Sequence, residues 1–559
     1  MISQEELSNE VLTGNHSHGS DSWLEANRKL ILKTVSILLG VLIAILVIVL
    51  FVMVLPGWLF GEDCSSSFRS LHCFGHLSAK YSVVLISMDG FRHDYLDLFH
   101  KRFPNKTLPN FARVEAKGIR AEFVRSVYPT TTLPTHHTMV TGLYPQHHGA
   151  VADQFIDSVH PFKEFSIRRQ RSLDNDHWLD EWPEPLWITV QKAGGLVGSH
   201  LWPLTDRPAK GDTPFQSVTE LALLNNPDGS FTTYPYTKRI HDILWWLKNP
   251  RYHLDLILSY FNEPAATGYH SGPESDNVLK KVQRLDELLG QLLDGIHERN
   301  LEGKVDLILT SGNGMASFKQ IIALDSYVEK SWYEYTQMGA SAFLYPDKGK
   351  EDEIYQVLRL AHPHLKVYRR AEMPTDLYYS HENSRMPPLI LIPDSGFIVK
   401  PSAQHPIRKS VMGYPPYEQT MAPFFMAIGP SFRAGAKAEA VNLTDIYSLL
   451  CGLLRIRPKP SNGSFEYISK LLKENVVEDI TSRRSWSGWI DRCILRTYVA
   501  WMVVGITIAL GLTCIASMAV IYSNKYGRAT IELPYANERP ELSRDVPTKD
   551  VSQLHKWLN

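Results

Sequence analysis

The sequence has almost no net charge. Its 58 Lys and Arg residues are balanced by 59 Asp and Glu residues, so the formal net charge is −1. A protein that attracts nucleic acid through its overall field has a marked excess of basic residues, and we therefore expect no such partner. Internal repeats and long low-complexity tracts are also absent. The 559 residues can hold two or three ordinary domains, or one large α/β domain with insertions.

Charge is missing altogether from two long apolar stretches, 35–55 and 498–522. Both are long enough to cross a bilayer as helices, and a buried core helix is the alternative for each. The first begins too far into the chain to be a cleavable signal peptide. Because Arg28, Lys29 and Lys33 precede it, the positive-inside rule assigns the N-terminus to the cytosol. Two spans then return the C-terminus to the same side.

The region between the spans is therefore expected outside the cell or in the secretory lumen, with the lipid bilayer as a partner. The predicted layout is a cytosolic tail at 1–33, a transmembrane helix at 34–56, a stalk at 57–80, an ectodomain at 81–475, a juxtamembrane connector at 476–497, a transmembrane helix at 498–522 and a cytosolic tail at 523–559.

Cysteine is scarce, but its placement agrees with this compartment. Of five cysteines, four fall between the two stretches, and four cysteines allow three pairings. We favour Cys64–Cys73 as a short local loop, which leaves Cys451–Cys493. Glycosylation sequons in the same region begin at Asn105, Asn442 and Asn462.

Short apolar runs separated by helical stretches predict the fold. The runs are 81–90, 253–264, 304–314 and 421–430, and they are typical of buried parallel strands. Between two of them, Val282, Leu285, Leu289, Leu292 and Ile296 recur at helical spacing. The pattern predicts an α/β fold, with a mostly parallel sheet, helices on both faces and an inserted cap at 332–400.

Ligands of such sheets bind beyond the carboxyl ends of the strands. The residues at those ends are Asp89, the segment 262–270, Gly312 and Asn313. A further candidate is the stretch 127–153, whose sequence predicts a loop, a turn that carries a threonine hydroxyl, and then a helix. Pro134 suits a first helical turn and predicts Thr132 or Leu133 as the cap. A hydroxyl at a helix N-terminus is well placed to meet an anionic ester.

Several motifs resemble the ectonucleotide pyrophosphatase/phosphodiesterase family of the alkaline-phosphatase superfamily. They fall in the family's order and cover roughly residues 81 to 472: MDGFRHDYL (88–96), VYPTTTLPTHHTMVTGLYPQHHG (127–149), EPLWITVQKAG (184–194), SYFNEPAATGYHSGP (259–273), LILTSGNGM (307–315) and MAIGPSF (426–432). The resemblance implies an alkaline-phosphatase-like fold and a two-zinc phosphodiesterase site. There, a metal-bound threonine attacks phosphorus, because a threonine hydroxyl needs activation by a metal or a base.

Carried over position by position, the resemblance assigns Asp89 to a metal-ligand position and Thr132 to the nucleophile. The remaining ligand positions have lost their Asp or His and are occupied by Ala265, Tyr269, Gly312, Asn313 and Met412. The family's oxyanion asparagine corresponds to Asp153. The sequence therefore predicts that no zinc is held. Nucleotide binding in the family's mode is not expected, because two carboxylates would face the phosphoester.

Nearby residues offer limited replacement. Glu263 and His270 flank lost positions, but a shift of one residue on a tight loop usually redirects a side chain. A cluster of histidines, His136, His137, His147 and His148, is interpreted as structural, because these residues line a helix and the turn that follows it.

Three functions compete. The first is a pseudoenzyme whose ectodomain binds a protein or glycan partner or has a regulatory role. The second is an active phosphodiesterase or other hydrolase with unconventional metal ligands and Thr132 as nucleophile. The third is a trafficking or assembly subunit that acts through its spans and tails. The shortage of ligands favours the first.

Overall fold

The computed structural model describes residues 79–484, apart from 158, 160–163, 168–181, 206–208, 210–211, 219–234, 250, 381–382 and 404–407, together with residues 28, 505–506 and 509–518. The chain divides into two units, one formed by residues 70–485 and the other by 1–69 and 486–559. The candidate site lies in the first unit.

The strands of the described residues are short and mostly buried. In chain order they are β1 Ser82–Met88, β2 Ile119–Ala121, β3 Val124–Arg125, β4 Gln154–Ile156, β5 Glu164–Ser166, β6 Val197–His200, β7 Gln216–Val218, β8 Leu256–Phe261, β9 Val305–Thr310, β10 Gln320–Ala323, β11 Tyr333–Met338, β12 Ser341–Pro346, β13 Leu365–Arg369, β14 Leu389–Pro393, β15 Phe397–Lys400, β16 Phe425–Ile428, β17 Ala436–Ala438 and β18 Val441–Asn442.

The helices surround these strands. They are α1 Tyr95–Arg102, α2 Pro109–Lys117, α3 Thr132–Thr141, α4 Pro145–His148, α5 Leu186–Lys192, α6 Tyr236–Leu247, α7 Ala265–Ser271, α8 Asp276–Glu298, α9 Glu351–Leu358, α10 Leu443–Leu454, α11 Phe465–Ile468 and α12 Glu474–Arg484.

An eight-stranded sheet forms the centre of the unit, in the order β17-β2-β16-β9-β1-β8-β6-β7. Parallel pairing runs from β9 through β1, β8 and β6 to β7. Separate hydrophobic clusters cover its two faces, as expected for a parallel sheet with helices on both sides. All four predicted apolar runs are strands, and the predicted amphipathic helix is α8, so the mostly parallel α/β fold is confirmed.

Two details of the prediction were wrong. Strand β16 is antiparallel to both of its neighbours, β9 and β2; a continuous apolar run reports burial on both faces and not strand direction. The cap of α3 is Thr131, whose backbone is extended at φ −125° and ψ 165°. Its carbonyl accepts the N–H of Thr135 at 3.2 Å, so Thr132 is already the first helical residue.

Residues 333–393 contain a second sheet, antiparallel, in the order β11-β12-β14-β13. Within the described residues, no helix combines the length and the apolar character that crossing a bilayer requires. The predicted span at 35–55 and most of the span at 498–522 lie outside those residues, so the two spans stay a prediction.

Candidate functional site

The candidate site lies at the carboxyl ends of β1 and β8. Asp89 follows β1, and its N–H donates to the carbonyl of Phe261 at 2.8 Å. Its own carbonyl accepts the N–H of Ala265, the first residue of α7, at 3.0 Å. Backbone hydrogen bonds on both sides therefore fix the position from which the Asp89 side chain extends.

Asp89 and Thr132 are in contact, as the resemblance implies. The Thr132 hydroxyl donates to Asp89 Oδ2 at 3.3 Å, and the Tyr260 hydroxyl donates to the same oxygen at 2.9 Å. Tyr260 was not singled out from the sequence. Its position could have indicated a role, because a polar side chain near the end of an apolar run is expected close to the edge of the sheet where ligands bind.

The environment of Asp89 is unfavourable for a charge. The residue is 4% exposed, and burial raises the pKa of its carboxyl to about 7, while the negative charge of Asp153 adds to the rise. Hydrogen bonds from Tyr260 and Thr132 oppose the shift. The second oxygen, Oδ1, is buried without a hydrogen-bond partner. Such an atom is unusual in a folded protein, and it belongs to the residue that the resemblance assigns to a metal-ligand position.

Asp153 binds the N-terminus of α3. Its Oδ1 accepts the N–H of Leu133 at 2.7 Å. A carboxylate is stabilised there by the unpaired amides and by the helix dipole. The resemblance assigns an oxyanion-binding role to this region of the chain. Here the amide next to Thr132 already donates to the protein's own carboxylate.

Two of the lost ligand positions contact each other. The hydroxyl of Tyr269 lies 3.1 Å from the thioether sulfur of Met412 and donates a hydrogen bond to it. Met412 is 3% exposed and belongs to the hydrophobic cluster on that face of the sheet, and Tyr269 packs against the same cluster. At two positions where the resemblance expects metal ligands, the side chains therefore pack in or against the hydrophobic core.

The other lost positions are equally closed. Ala265 is buried in the same cluster. A Cβ added at Gly312 would overlap the hydroxyl of Thr135 in α3, so a larger residue does not fit without movement. Asn313 is fully buried, and its amide nitrogen donates to the carbonyl of Gly314 at 3.0 Å. The side chains at these positions therefore do not converge as a set of metal ligands.

The flanking residues do not replace the lost ligands. Glu263 accepts hydrogen bonds from the N–H and the hydroxyl of Thr267, at 3.0 and 2.9 Å, and lies 3.4 Å from Lys281 Nζ. Its carboxylate therefore caps α7 and does not face Asp89. His270 is exposed at the end of α7.

The histidines of α3 and α4 are mostly core residues. His136 bridges the hydroxyl of Ser87 at 2.7 Å and the carbonyl of Thr132 at 2.6 Å, and burial lowers its pKa to about 4. His137 packs edge-on against His148 and Trp182, and burial lowers its pKa to about 3. Burial also keeps the pKa of His148 well below its usual range. His147 lies at the surface turn and bonds to Asn462 at 3.1 Å.

The residues at this site do not fit a pair of zinc ions. Each zinc in a protein takes three or four nitrogen, sulfur or carboxylate ligands, whereas the family positions here retain Asp89 alone. Across the part of the chain that the structure describes, no three His, Cys, Asp or Glu residues converge in a metal-binding arrangement.

The remaining predicted residues lie away from this site. Cys451 is buried in α10, while Cys64, Cys73 and Cys493 lie outside the described residues, so both disulfides stay predictions. Asn105 and Asn462 are exposed, and Asn442 is partly buried.

Known proteins resemble this chain over most of its length. A sequence profile of the type I phosphodiesterase/nucleotide pyrophosphatase family matches residues 83–416. Human ectonucleotide pyrophosphatase/phosphodiesterase family member 5 is 34% identical over 397 residues, which is 70% of this chain and 78% of the relative. Human bis(5'-adenosyl)-triphosphatase ENPP4 is 33% identical over 436 residues, 77% of this chain and 87% of the relative.

Solved structures show the same likeness. The structure of human ectonucleotide pyrophosphatase/phosphodiesterase 5 gives a TM-score of 0.64 at 33% identity, covering 70% of this chain and 100% of that chain. An inactive threonine-to-alanine variant of the murine protein, in complex with AMP, gives a TM-score of 0.63 at 32% identity with the same coverage.

Proposed function

Because this chain belongs to the type I phosphodiesterase/nucleotide pyrophosphatase family, we propose that it is a pseudoenzyme of that family. Its phosphodiesterase-like domain keeps the family fold and has a binding or regulatory role toward a protein or glycan partner. The proposal includes an ectodomain outside the cell or in the secretory lumen, anchored by two spans with both termini in the cytosol.

The observation that carries this proposal is the contact between Tyr269 and Met412. The phenol of Tyr269 directs its proton at the thioether of Met412, and Met412 is buried in a hydrophobic cluster, so these two side chains pair with each other rather than surround a cation. A thioether is also a soft ligand and is unsuited to zinc among oxygen donors. Without metals, Thr132 has no coordinated cation to lower the pKa of its hydroxyl.

The charge of the site supports the same conclusion. Asp89 and Asp153 are close enough for one carboxylate to raise the pKa of the other. A phosphoester would meet the carboxylate of Asp153 and a partly ionised Asp89. The attraction of the helix N-terminus is worth at most about 2 kcal/mol and is already directed at Asp153. We therefore do not expect AMP to bind here as it does in the complex of the murine protein.

The test is metal content and turnover of the full-length protein, purified in detergent from a zinc-replete buffer. Elemental analysis is expected to give substoichiometric zinc, and a nitrophenyl phosphodiester is expected to be turned over no faster by the wild type than by Thr132→Ala. The human family member 5 protein, prepared in parallel, controls for loss of metal during purification. Two zinc ions per chain would overturn the proposal.

A hydrolase is the second candidate, and one observation favours it. The Thr132 hydroxyl donates to Asp89 at 3.3 Å, which is the arrangement of a nucleophile beside a base. This candidate requires turnover that Thr132→Ala and Asp89→Asn each abolish. If neither variant changes the measured rate, residual hydrolysis comes from a contaminant.

A further inference from the structure

The three sequons differ in how the fold holds their asparagine side chains. Asn105 lies exposed between α1 and α2, Asn442 ends β18, and Asn462 lies exposed between α10 and α11. An N-linked glycan is attached to the side-chain amide nitrogen, Nδ2. The direction of that nitrogen therefore decides whether a sequon can carry a sugar without disturbing the fold.

The amide of Asn462 has an unambiguous orientation. Its Oδ1 accepts the backbone N–H of Tyr144 at 3.1 Å and faces Nδ1 of His147 at 3.1 Å. A backbone N–H can only donate, so the atom it meets is the carbonyl oxygen and His147 must carry its proton on Nδ1. The amide nitrogen is then the outer atom of an exposed side chain.

Asn442 has the opposite orientation. Its Nδ2 donates to Oδ2 of Asp445 at 2.8 Å. A carboxylate only accepts, so in this case the nitrogen faces the protein. The third sequon residue, Thr444, is 3% exposed within α10.

The other residues of the Asn462 sequon are also fixed. The N–H of Asn462 donates to the carbonyl of Gly142, the residue that ends α3, at 2.8 Å. A Cβ at Gly463 would overlap the carbonyl of Thr444, so only glycine fits there. The Ser464 hydroxyl caps α11 by accepting the N–H of Tyr467 at 3.3 Å.

We propose that Asn462 carries an N-linked glycan and that the same side chain holds the turn that ends α3. The carbonyl oxygen of its amide binds the 144–147 turn, while the nitrogen carries the sugar into solvent. The modified side chain is therefore the same one that holds the turn after the C-terminal end of α3. The glycan itself rests on the lumenal placement proposed above, whereas the structural contact does not.

The first experiment maps site occupancy. The full chain is expressed in eukaryotic cells that glycosylate, deglycosylated in heavy-oxygen water by an enzyme that converts glycosylated Asn to Asp, and analysed by peptide mass spectrometry. Label at Asn462 is expected. Label at Asn105 with none at Asn462 would overturn the proposal while leaving the lumenal placement intact. Absence of label at all three sequons would overturn both.

The second experiment separates the glycan from the contact. Asn462→Asp loses the glycan but keeps an oxygen for Tyr144 and His147, whereas Asn462→Ala loses both. Ser464→Thr keeps the sequon and the capping hydroxyl and serves as the control. The Tm of Asn462→Ala is expected to lie roughly 2–6 °C below that of Asn462→Asp, because two donors lose their acceptor. Equal Tm values for the two variants would refute the structural role.

Discussion

Replacing Asp89 by asparagine is expected to stabilise this protein, whereas the same change in a metal-loaded site would destabilise it. The side chain introduced by Asp89→Asn would keep an oxygen for the hydroxyls of Tyr260 and Thr132, which lie 2.9 and 3.3 Å from Oδ2. The change would remove a buried carboxylate whose Oδ1 has no hydrogen-bond partner. The variant therefore tests whether a bound cation stabilises the Asp89 carboxylate.

The magnitude follows from the pKa. Burial raises the pKa of Asp89 from 3.8 to about 7, and a difference of about 3 pKa units corresponds to about 4 kcal/mol. The native state keeps the proton at pH values where the unfolded chain has lost it. Stability therefore falls as pH rises from about 4 to 7, and the loss is complete above about pH 8.

We expect the asparagine to recover about half of this loss, ~2 kcal/mol at pH 8, because the amide must itself be buried. The corresponding rise in Tm is ~2–3 °C for a unit of this size. At pH 4 the wild type and the variant should converge, because Asp89 is then protonated in the folded state.

The assay is thermal unfolding of the full chain at pH 4, 6 and 8, with and without a chelator. Asp97→Asn is the matched control, since Asp97 has a side chain that is 72% exposed. A variant less stable than the wild type at pH 8, combined with a wild type that the chelator destabilises, would show that a bound cation stabilises Asp89 and would refute the reasoning.

Three further predictions concern the closed site. Gly312→Asp should lower the free energy of unfolding, measured by urea titration, by roughly 2 kcal/mol or more. Adding Thr135→Ala should recover part of this loss, because the new side chain would overlap the Thr135 hydroxyl. A double variant no more stable than Gly312→Asp would contradict the overlap. Met412→Ala should cost about 2–5 kcal/mol as a core truncation, whereas Tyr269→Phe should cost only about 1 kcal/mol; a larger effect at Tyr269 would point to an unrecognised polar role. Burial lowers the pKa of His136 to about 4, so on acidification the histidine of the unfolded chain is protonated before that of the folded protein, and the Tm of the wild type should fall from pH 6.5 to 4.5. In His136→Gln this fall should be smaller. An unchanged slope would assign the acid sensitivity to other groups.

Much of the fold could be predicted from the sequence. Each apolar run that was expected to be a strand is one, because continuous burial on both faces needs apolar residues at every position. Strand direction could not be predicted in this way. The antiparallel course of β16 depends on how the chain returns to the sheet between β9 and β2, and this information is not in the run itself.

The site was predictable where it follows family motifs and unpredictable where it depends on contacts between distant segments. Asp89 and Thr132 meet as the motifs imply. The Tyr269–Met412 hydrogen bond joins residues more than a hundred positions apart, so no local pattern could indicate it. The same holds for the close approach of Thr135 to Gly312, which leaves no room for a Cβ at 312, because nothing in either local segment indicates that the two residues meet.

The close approach of Thr135 to Gly312 and the Tyr269–Met412 hydrogen bond have a consequence for the introduction of metal ligands at these positions. A carboxylate at 312 would collide with Thr135, and a histidine at 412 would remove the sulfur that accepts from the Tyr269 hydroxyl. Substitutions at these positions are therefore coupled to their neighbours, and their effects on stability are not expected to add.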